Sequence, residues 1–298
     1  MLTRPALLAA TLIAAAPGTP LPRAPQCHLP PAGFTFARRV DKLPVARDSS
    51  RIVASIGLGS PMHADFGSGL YHGSRIGIPF DVVSKRTPKS TVRFQYASES
   101  DRVRYPIPSG VHIEGGGDRH ALLLDRDSCR LYELFALRRA GGRWTAGSGA
   151  VWNLRHPEVR PAGWTSADAA GLPMLPLLAR WDEARTGRIR HALRITVPRT
   201  RDAYVFPARH EAGDSNDPAL PRMGERLRLK ASVKISSFPR QARVILRALR
   251  EYGGIVADNG SAWFVSGAPD RHWSNDQLHT LGRITGRDFE VVRVPRPR

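Results

Sequence analysis

Cysteine and lysine are the scarce residues of this chain, and each scarcity narrows what it can be. Only Cys27 and Cys129 occur, and neither has the context of a nucleophile. Lysine is confined to positions 42, 85, 89, 230 and 234, so arginine supplies most of a formal net charge of +19. The arginines are scattered rather than clustered, which argues against a nucleic-acid partner despite the charge. A dispersed positive field favours anionic surfaces and polymers instead. No G-x-G-x-x-G opens a helix and no P-loop is present. Gly67-Ser68-Gly69 and Gly147-Ser148-Gly149 lack the spacing of a nucleophile elbow. His210-Glu211-Ala212-Gly213-Asp214 matches a zincin helix only loosely, because glycine interrupts it and Asp stands at the last ligand position. No metal ligands are assigned on these grounds, and the cofactor is left open.

Long apolar runs are missing too. The one candidate, Ala6 to Ala16, is 11 residues, whereas a spanning helix needs roughly 20. Arg4 precedes it, Ala14-Ala15-Ala16 offers an A-x-A cleavage site and Pro17-Gly18 follows. These are the parts of a secretory signal peptide in order. The expected organisation is a signal peptide at 1–16, a proline-rich arm at 17–50 and one globular domain at 51–298. Location is expected to be secreted or periplasmic, with no membrane span after cleavage and a monomeric chain. In an oxidising compartment Cys27 and Cys129 are expected to form a disulfide closing a loop of roughly a hundred residues.

What the chain has in quantity is turn residues, with 27 glycines and 25 prolines. Strand-like stretches recur at short spacing: 78–83, 91–96, 120–125, 129–137, a pair within 144–154, 188–197, 204–207, 226–235 and 289–294. Asp258-Asn259-Gly260-Ser261 reads as a hairpin turn between 255–257 and 262–266. One good helix is expected from Pro239 to Gly253, with Ala242, Ile245, Ala248, Leu249 and Tyr252 as its apolar stripe, and a short one after the capping box Ser274 to Gln277. The fold class is therefore mainly β, a β-sandwich or jelly-roll-like single domain with one or two decorating helices.

Several polar positions invite chemistry. Asp118, Arg119 and His120 place an acid, a cation and a titrating base where a glycine turn enters a strand; the alternative is a turn-capping Asp and a packed His. Glu133 shares a strand face with Leu131 and Phe135, which is costly for a carboxylate unless it is paired. Asp125, on the preceding strand, is the expected partner, and two carboxylates across a sheet are what glycosidic cleavage uses. A register shift of one residue would instead put Glu133 in water. His191 lies on an apolar face, where a hydrogen-bonded core role competes with a functional one, and Arg194 lies on the opposite face. Arg226, Arg228, Lys230 and Lys234 line one face of a strand, either to neutralise uronate carboxylates or as a solvated outer surface. The loop 161–176 carries Trp164, a candidate sugar platform, and Asp168. His210 completes the candidates.

Many of these positions sit in runs that resemble a family of uncharacterised secreted bacterial single-domain proteins. The runs are Asp65 to Gly69, Gly77 to Pro79, Glu99 to Asp101, Tyr105 to Pro108, Ile113 to Gly116, Gly117-Asp118-Arg119-His120, Leu131 to Leu134, and Gly147 to Ala150. Arg160 to Pro173 is the strongest, followed by Arg190 to Arg194, Pro207 to His210, Met223 to Lys230 and Ala257 to Ser261. The resemblance spans nearly all of the chain after the leader and implies one exported domain, without an activity. It departs near the start, where Phe34-Thr35-Phe36-Ala37-Arg38 stands in place of an expected Trp-Asn pair.

Together these readings point to a secreted carbohydrate-active protein, a glycoside hydrolase or polysaccharide lyase acting on an extracellular polysaccharide. Glu133, Asp118, Asp125 and His120 are the expected catalytic groups. Arg119, Trp164, Asp168, His191, Arg194, His210, Arg226, Arg228 and Lys230 are the expected binding groups. The alternative is a non-catalytic envelope protein that binds anionic polymer.

Overall fold

The structure, a computed structural model, describes residues 18–31 and 33–295; the expected signal peptide lies outside them. The chain is mainly β. It opens with a short antiparallel hairpin, β1 (Thr19–Leu21) and β2 (Ala24–Leu29), then α1 (Ser49–Gly57), β3 (His63–Asp65) and a second small hairpin, β4 (Leu70–Tyr71) and β5 (Ser74–Arg75). Next come β6 (Phe80–Val83), β7 (Ser90–Phe94), β8 (Arg104–Tyr105), β9 (Ala121–Asp125), β10 (Arg130–Phe135), β11 (Arg138–Ala140), β12 (Arg143–Ala146) and β13 (Ser148–Asn153). The last part holds α2 (Trp181–Ala184), β14 (Leu193–Val197), β15 (Arg226–Leu229), α3 (Arg240–Glu251), β16 (Gly254–Asn259), β17 (Phe264–Ser266), α4 (Asn275–His279) and β18 (Phe289–Val291).

Two four-stranded sheets form the sandwich. The first has the order β13-β10-β9-β6 and the second β11-β12-β7-β8. Ala121, Leu123, Tyr132 and Leu134 of the first pack on Val92, Tyr105 and Ala146 of the second. The opposite face of the first sheet carries Leu122, Leu124, Leu131, Ala150 and Trp152, which pack on Leu21, Leu29 and the cysteines. Both faces of β9 are thus buried, which is why Ala121 to Leu124 is a continuous apolar run rather than an alternating one.

Strands β12 and β13 do not form the hairpin expected from 144–154. They belong to different sheets, and the chain changes sheet at Gly147, where a Cβ would meet the Phe135 ring at 2.5 Å. Cys27 and Cys129 are bridged across a separation of 102 residues, pinning the first hairpin to the turn before β10. In the chain-entropy account, closing a loop of that length stabilises the fold by about 4–5 kcal/mol.

The remaining strands make a six-stranded sheet, β18-β15-β16-β14-β17-β3. Helix α3 buries Ala242, Val244, Ile245, Leu246, Ala248 and Leu249 in the core of this sheet, and α1 adds Ile52, Val53 and Ile56. Here the expected hairpin at Asp258 to Ser261 is absent as well. Strand β14 lies between β16 and β17, parallel to the first and antiparallel to the second.

The segment 161–179 is the seam between the two bodies. Ala167, Met174, Leu175 and Leu178 enter the core beside the sandwich, while Ala170, Leu172, Leu177 and Ala179 enter that of the six-stranded sheet.

Candidate functional site

At the seam, strand β14 presents Arg194, and its setting explains the local architecture. Register pairs Arg194 with Ile255, but it shifts between Ile195 and Thr196, so Thr196 faces Asp258 rather than Ala257. Because side chains alternate along a strand, this one-residue bulge turns Asp258 onto the Arg194 face. The Ala257 carbonyl it frees accepts the N–H of Ala170 at 2.9 Å, docking the seam loop.

Arg194 then uses four of its five N–H groups. It donates to Asp168 from Nε and Nη2 at 3.0 and 2.9 Å, to Asp258 from Nη2 at 2.8 Å, and to Ser266 Oγ from Nη1 at 2.8 Å. Asp168 is fully enclosed, whereas the Asp258 side chain keeps 25% exposure. Burial, with the charge of Asp168 against the opposing pull of Arg194, pushes the Asp258 carboxyl up to about 6.

Asp258 looks into a cavity of about 290 Å³ whose walls include Tyr96, Glu99, Phe135, Ser148, Thr165, Ser166 and His210. The His210 Nδ1–H donates to the Ala169 carbonyl at 2.8 Å, which leaves Nε2 facing Glu99 Oε2 at 3.6 Å. Glu99 is held by the Thr165 N–H at 3.1 Å. The serine and threonine hydroxyls are spent on backbone: Ser148 donates to the Ser166 carbonyl, Ser166 Oγ bridges Leu172 and Asp168, and Thr165 Oγ1 donates to the Asp168 carbonyl. What remains for chemistry around the same space is the Asp258 carboxyl, the Glu99 carboxyl, the His210 Nε2 and the Tyr96 phenol.

Behind this wall lies His120. Its Nδ1 bonds Glu114 and its Nε2 the Ala167 carbonyl at 3.0 Å. Burial disfavours the charged ring, but the hydrogen bond and charge of Glu114 outweigh it and its pKa is raised. Asp65 is aligned with Ser266 across β3 and β17.

The remaining candidates lie elsewhere. Glu133 is fully buried, accepting from Trp152 Nε1 at 3.0 Å and from the Met174 and Leu175 N–H groups at 2.9 and 3.0 Å. Burial pushes it up to about 7, but it reaches no cavity wall at the seam. Its expected pairing with Asp125 does not occur. The β9–β10 register sets Glu133 opposite Leu122 and Asp125 opposite Arg130, an odd offset that puts the two carboxyls on opposite faces. Asp125 caps the turn instead, accepting from Asp127 N and Ser128 Oγ.

Asp118 is exposed and apart from His120, and Arg119, at φ 47°, donates to the Leu137 carbonyl. His191 precedes its strand and sits fully buried between Glu183, at 2.9 Å, and the Ala192 carbonyl. Trp164 is half-buried under the Arg160 guanidinium at 5.2 Å.

The expected basic row is not a free surface. Strand β15 ends at Leu229; Arg226 is buried on the Tyr252 carbonyl, Arg228 binds Glu290 and the carbonyls of Val40 and Leu43, and Lys230 binds the Arg287 carbonyl.

Sequence reasoning named Asp168, Arg194, His120 and His210 and missed Glu99, Glu114 and Asp258. The missed residues lie in three of the resembling runs, and those runs, far apart in the chain, meet here with the ones carrying the four residues named. No family model, characterised protein or solved structure matches the chain.

Proposed function

We propose that this is an exported carbohydrate-active enzyme that cleaves an extracellular glycan at the seam cavity by acid–base catalysis. The observation that carries the reading is Asp258: a carboxyl with a raised pKa facing a cavity shared with Glu99. Glycosidic cleavage needs two carboxyls in unlike environments, one protonated to donate to the leaving oxygen and one ionised to act as base or nucleophile. Asp258 suits the first role and Glu99 the second, with His210 beside Glu99 to orient it. Arg194 and Asp168 act as positioning residues, since both side chains are buried and bonded to each other. Glu133 and Asp125 are dropped from the acid–base pair. Export is supported by the disulfide, which persists in oxidising compartments. Among the described residues no helix is long and apolar enough to cross a membrane.

The test is a reducing-sugar screen on neutral and acidic polysaccharides, with unsaturated products read alongside. Turnover is expected, with a kcat/KM that falls above about pH 6 as Asp258 loses its proton. Asp258→Asn and Glu99→Gln are each expected to lower kcat by roughly a hundredfold or more. Turnover that survives both substitutions would remove the cavity from the mechanism, and unsaturated products would replace hydrolysis by elimination.

A further inference from the structure

We infer that the outer face of the β11-β12-β7-β8 sheet binds an anionic polysaccharide. Register places the side chains. Arg138 on β11 is opposite Thr145 on β12, and Thr145 is opposite Arg93 on β7. Thr91, two residues before Arg93, is opposite Arg104 on β8. Arg143, two before Thr145, shares its face. Arginines therefore stand on alternate strands with threonine between them, in two staggered rows. With strands about 4.8 Å apart, successive arginines of a row root about 10 Å from each other.

This face is built for anions. All four arginines are exposed, and the four strands contain no acidic residue. Among the described residues, the guanidinium groups of Arg93, Arg138 and Arg143 have no hydrogen-bond or ion-pair partner, unlike the arginines of β14 and β15. Their charge is uncompensated.

The chemistry of the face selects among polyanions. Trp144 and Val92 point inward, so the outer surface offers only arginine, threonine and Ala140. It has no aromatic platform on which bases would stack and no apolar side chain to enter a bilayer. Threonine hydroxyls beside guanidinium forks suit a polymer that carries both carboxylates and hydroxyls.

The face also leads somewhere. Beyond Arg93 the chain of β7 continues through exposed Gln95 to Tyr96, which is 45% exposed and forms a wall of the seam cavity. A polymer lying along β7 would be delivered to that mouth. Binding stands on the arginine face alone; that the bound polymer is also the substrate rests on the reading of the cavity.

The test uses affinity electrophoresis and calorimetry of the protein with polygalacturonate as probe. The Arg93→Gln/Arg138→Gln/Arg143→Gln variant is expected to bind about tenfold or more weakly and to lose much of the salt dependence between about 50 and 200 mM. An Arg47→Gln/Arg51→Gln/Arg271→Gln variant has the same net charge and is expected to bind as wild type. Equal weakening by both variants would reduce the effect to overall charge and overturn the proposal. So would tighter binding to duplex DNA, or to vesicles rich in anionic lipid, at matched salt. Asp258→Asn separates the two readings. It is expected to bind polygalacturonate as wild type does, so binding without turnover in wild type would sink the cavity reading and leave the face standing.

Discussion

Glu133 shows how a residue can look catalytic in sequence and be structural in space. Its carboxyl gathers the Trp152 indole and two backbone N–H groups of the seam loop, and so fastens that loop to the sandwich. Burial raises its pKa from 4.5 to about 7. The folded state therefore holds a proton that the unfolded chain releases, and the group's contribution to stability falls as pH climbs from about 4.5 through about 7. The size is about 3 kcal/mol, at 1.36 kcal/mol per unit. We expect urea unfolding to show that loss between pH 4 and 8. In Glu133→Gln the slope from this group vanishes. The amide N–H also turns a donor towards the Trp152 or loop donors, so at pH 5 the variant is expected to be about 1–3 kcal/mol less stable than wild type. An unchanged pH slope in the variant would assign the titration to another group. The sequence signal here was sound, because a carboxylate on an apolar face must be satisfied. What it lacked was the identity of the donors, two of which are main-chain groups some forty residues away.

At the scale of the element, positions were legible where continuous burial or helical periodicity fixes them, as in β9, β10 and α3. Pairing was not. The Asn-Gly at 259–260 carries a strong hairpin signal, yet β14 occupies the place that the hairpin partner would take. The alternation from Arg226 to Ile235 breaks after Leu229, where the chain turns and the Val233 N–H bonds back to the Lys230 carbonyl. These outcomes depend on contacts across the whole chain. The bulge that rotates Asp258 to Arg194 is of the same kind, so the most important carboxyl of the cavity was read as a turn residue. Arg194 joins β14, β16, β17 and the seam loop through one side chain. Arg194→Met leaves Asp168 enclosed with neither oxygen paired, and is expected to cost about 3–5 kcal/mol. Adding Asp168→Asn should recover part of that loss, since the stranded charge is gone. A double variant no more stable than the single one in denaturant titration would show that the cost is packing rather than charge.

For the whole molecule the question is whether the sandwich and the six-stranded sheet are separable. The sequence reads as one globular domain over 51–298, and the seam gives a physical reason to expect cooperative behaviour. Residues of 167–179 enter the two cores by turns, so neither core can close without that segment in place. Asp168 and Glu133 anchor the same segment to opposite bodies through Arg194 and the β10 sheet. Unfolding one body therefore strips ligands from the other. Tryptophans report on both sides, with Trp152 in the sandwich core and Trp263 and Trp273 in the other. We expect a single transition in denaturant, with tryptophan fluorescence and far-UV dichroism coincident. Cys27→Ser/Cys129→Ser frees only the sandwich side. Under this coupling it should still shift the entire transition to lower denaturant, by about 4–5 kcal/mol, instead of splitting it. A biphasic curve in that variant, with the Trp263 and Trp273 signal unmoved, would mean that the seam is a linker and that the cavity lies between two independently stable bodies.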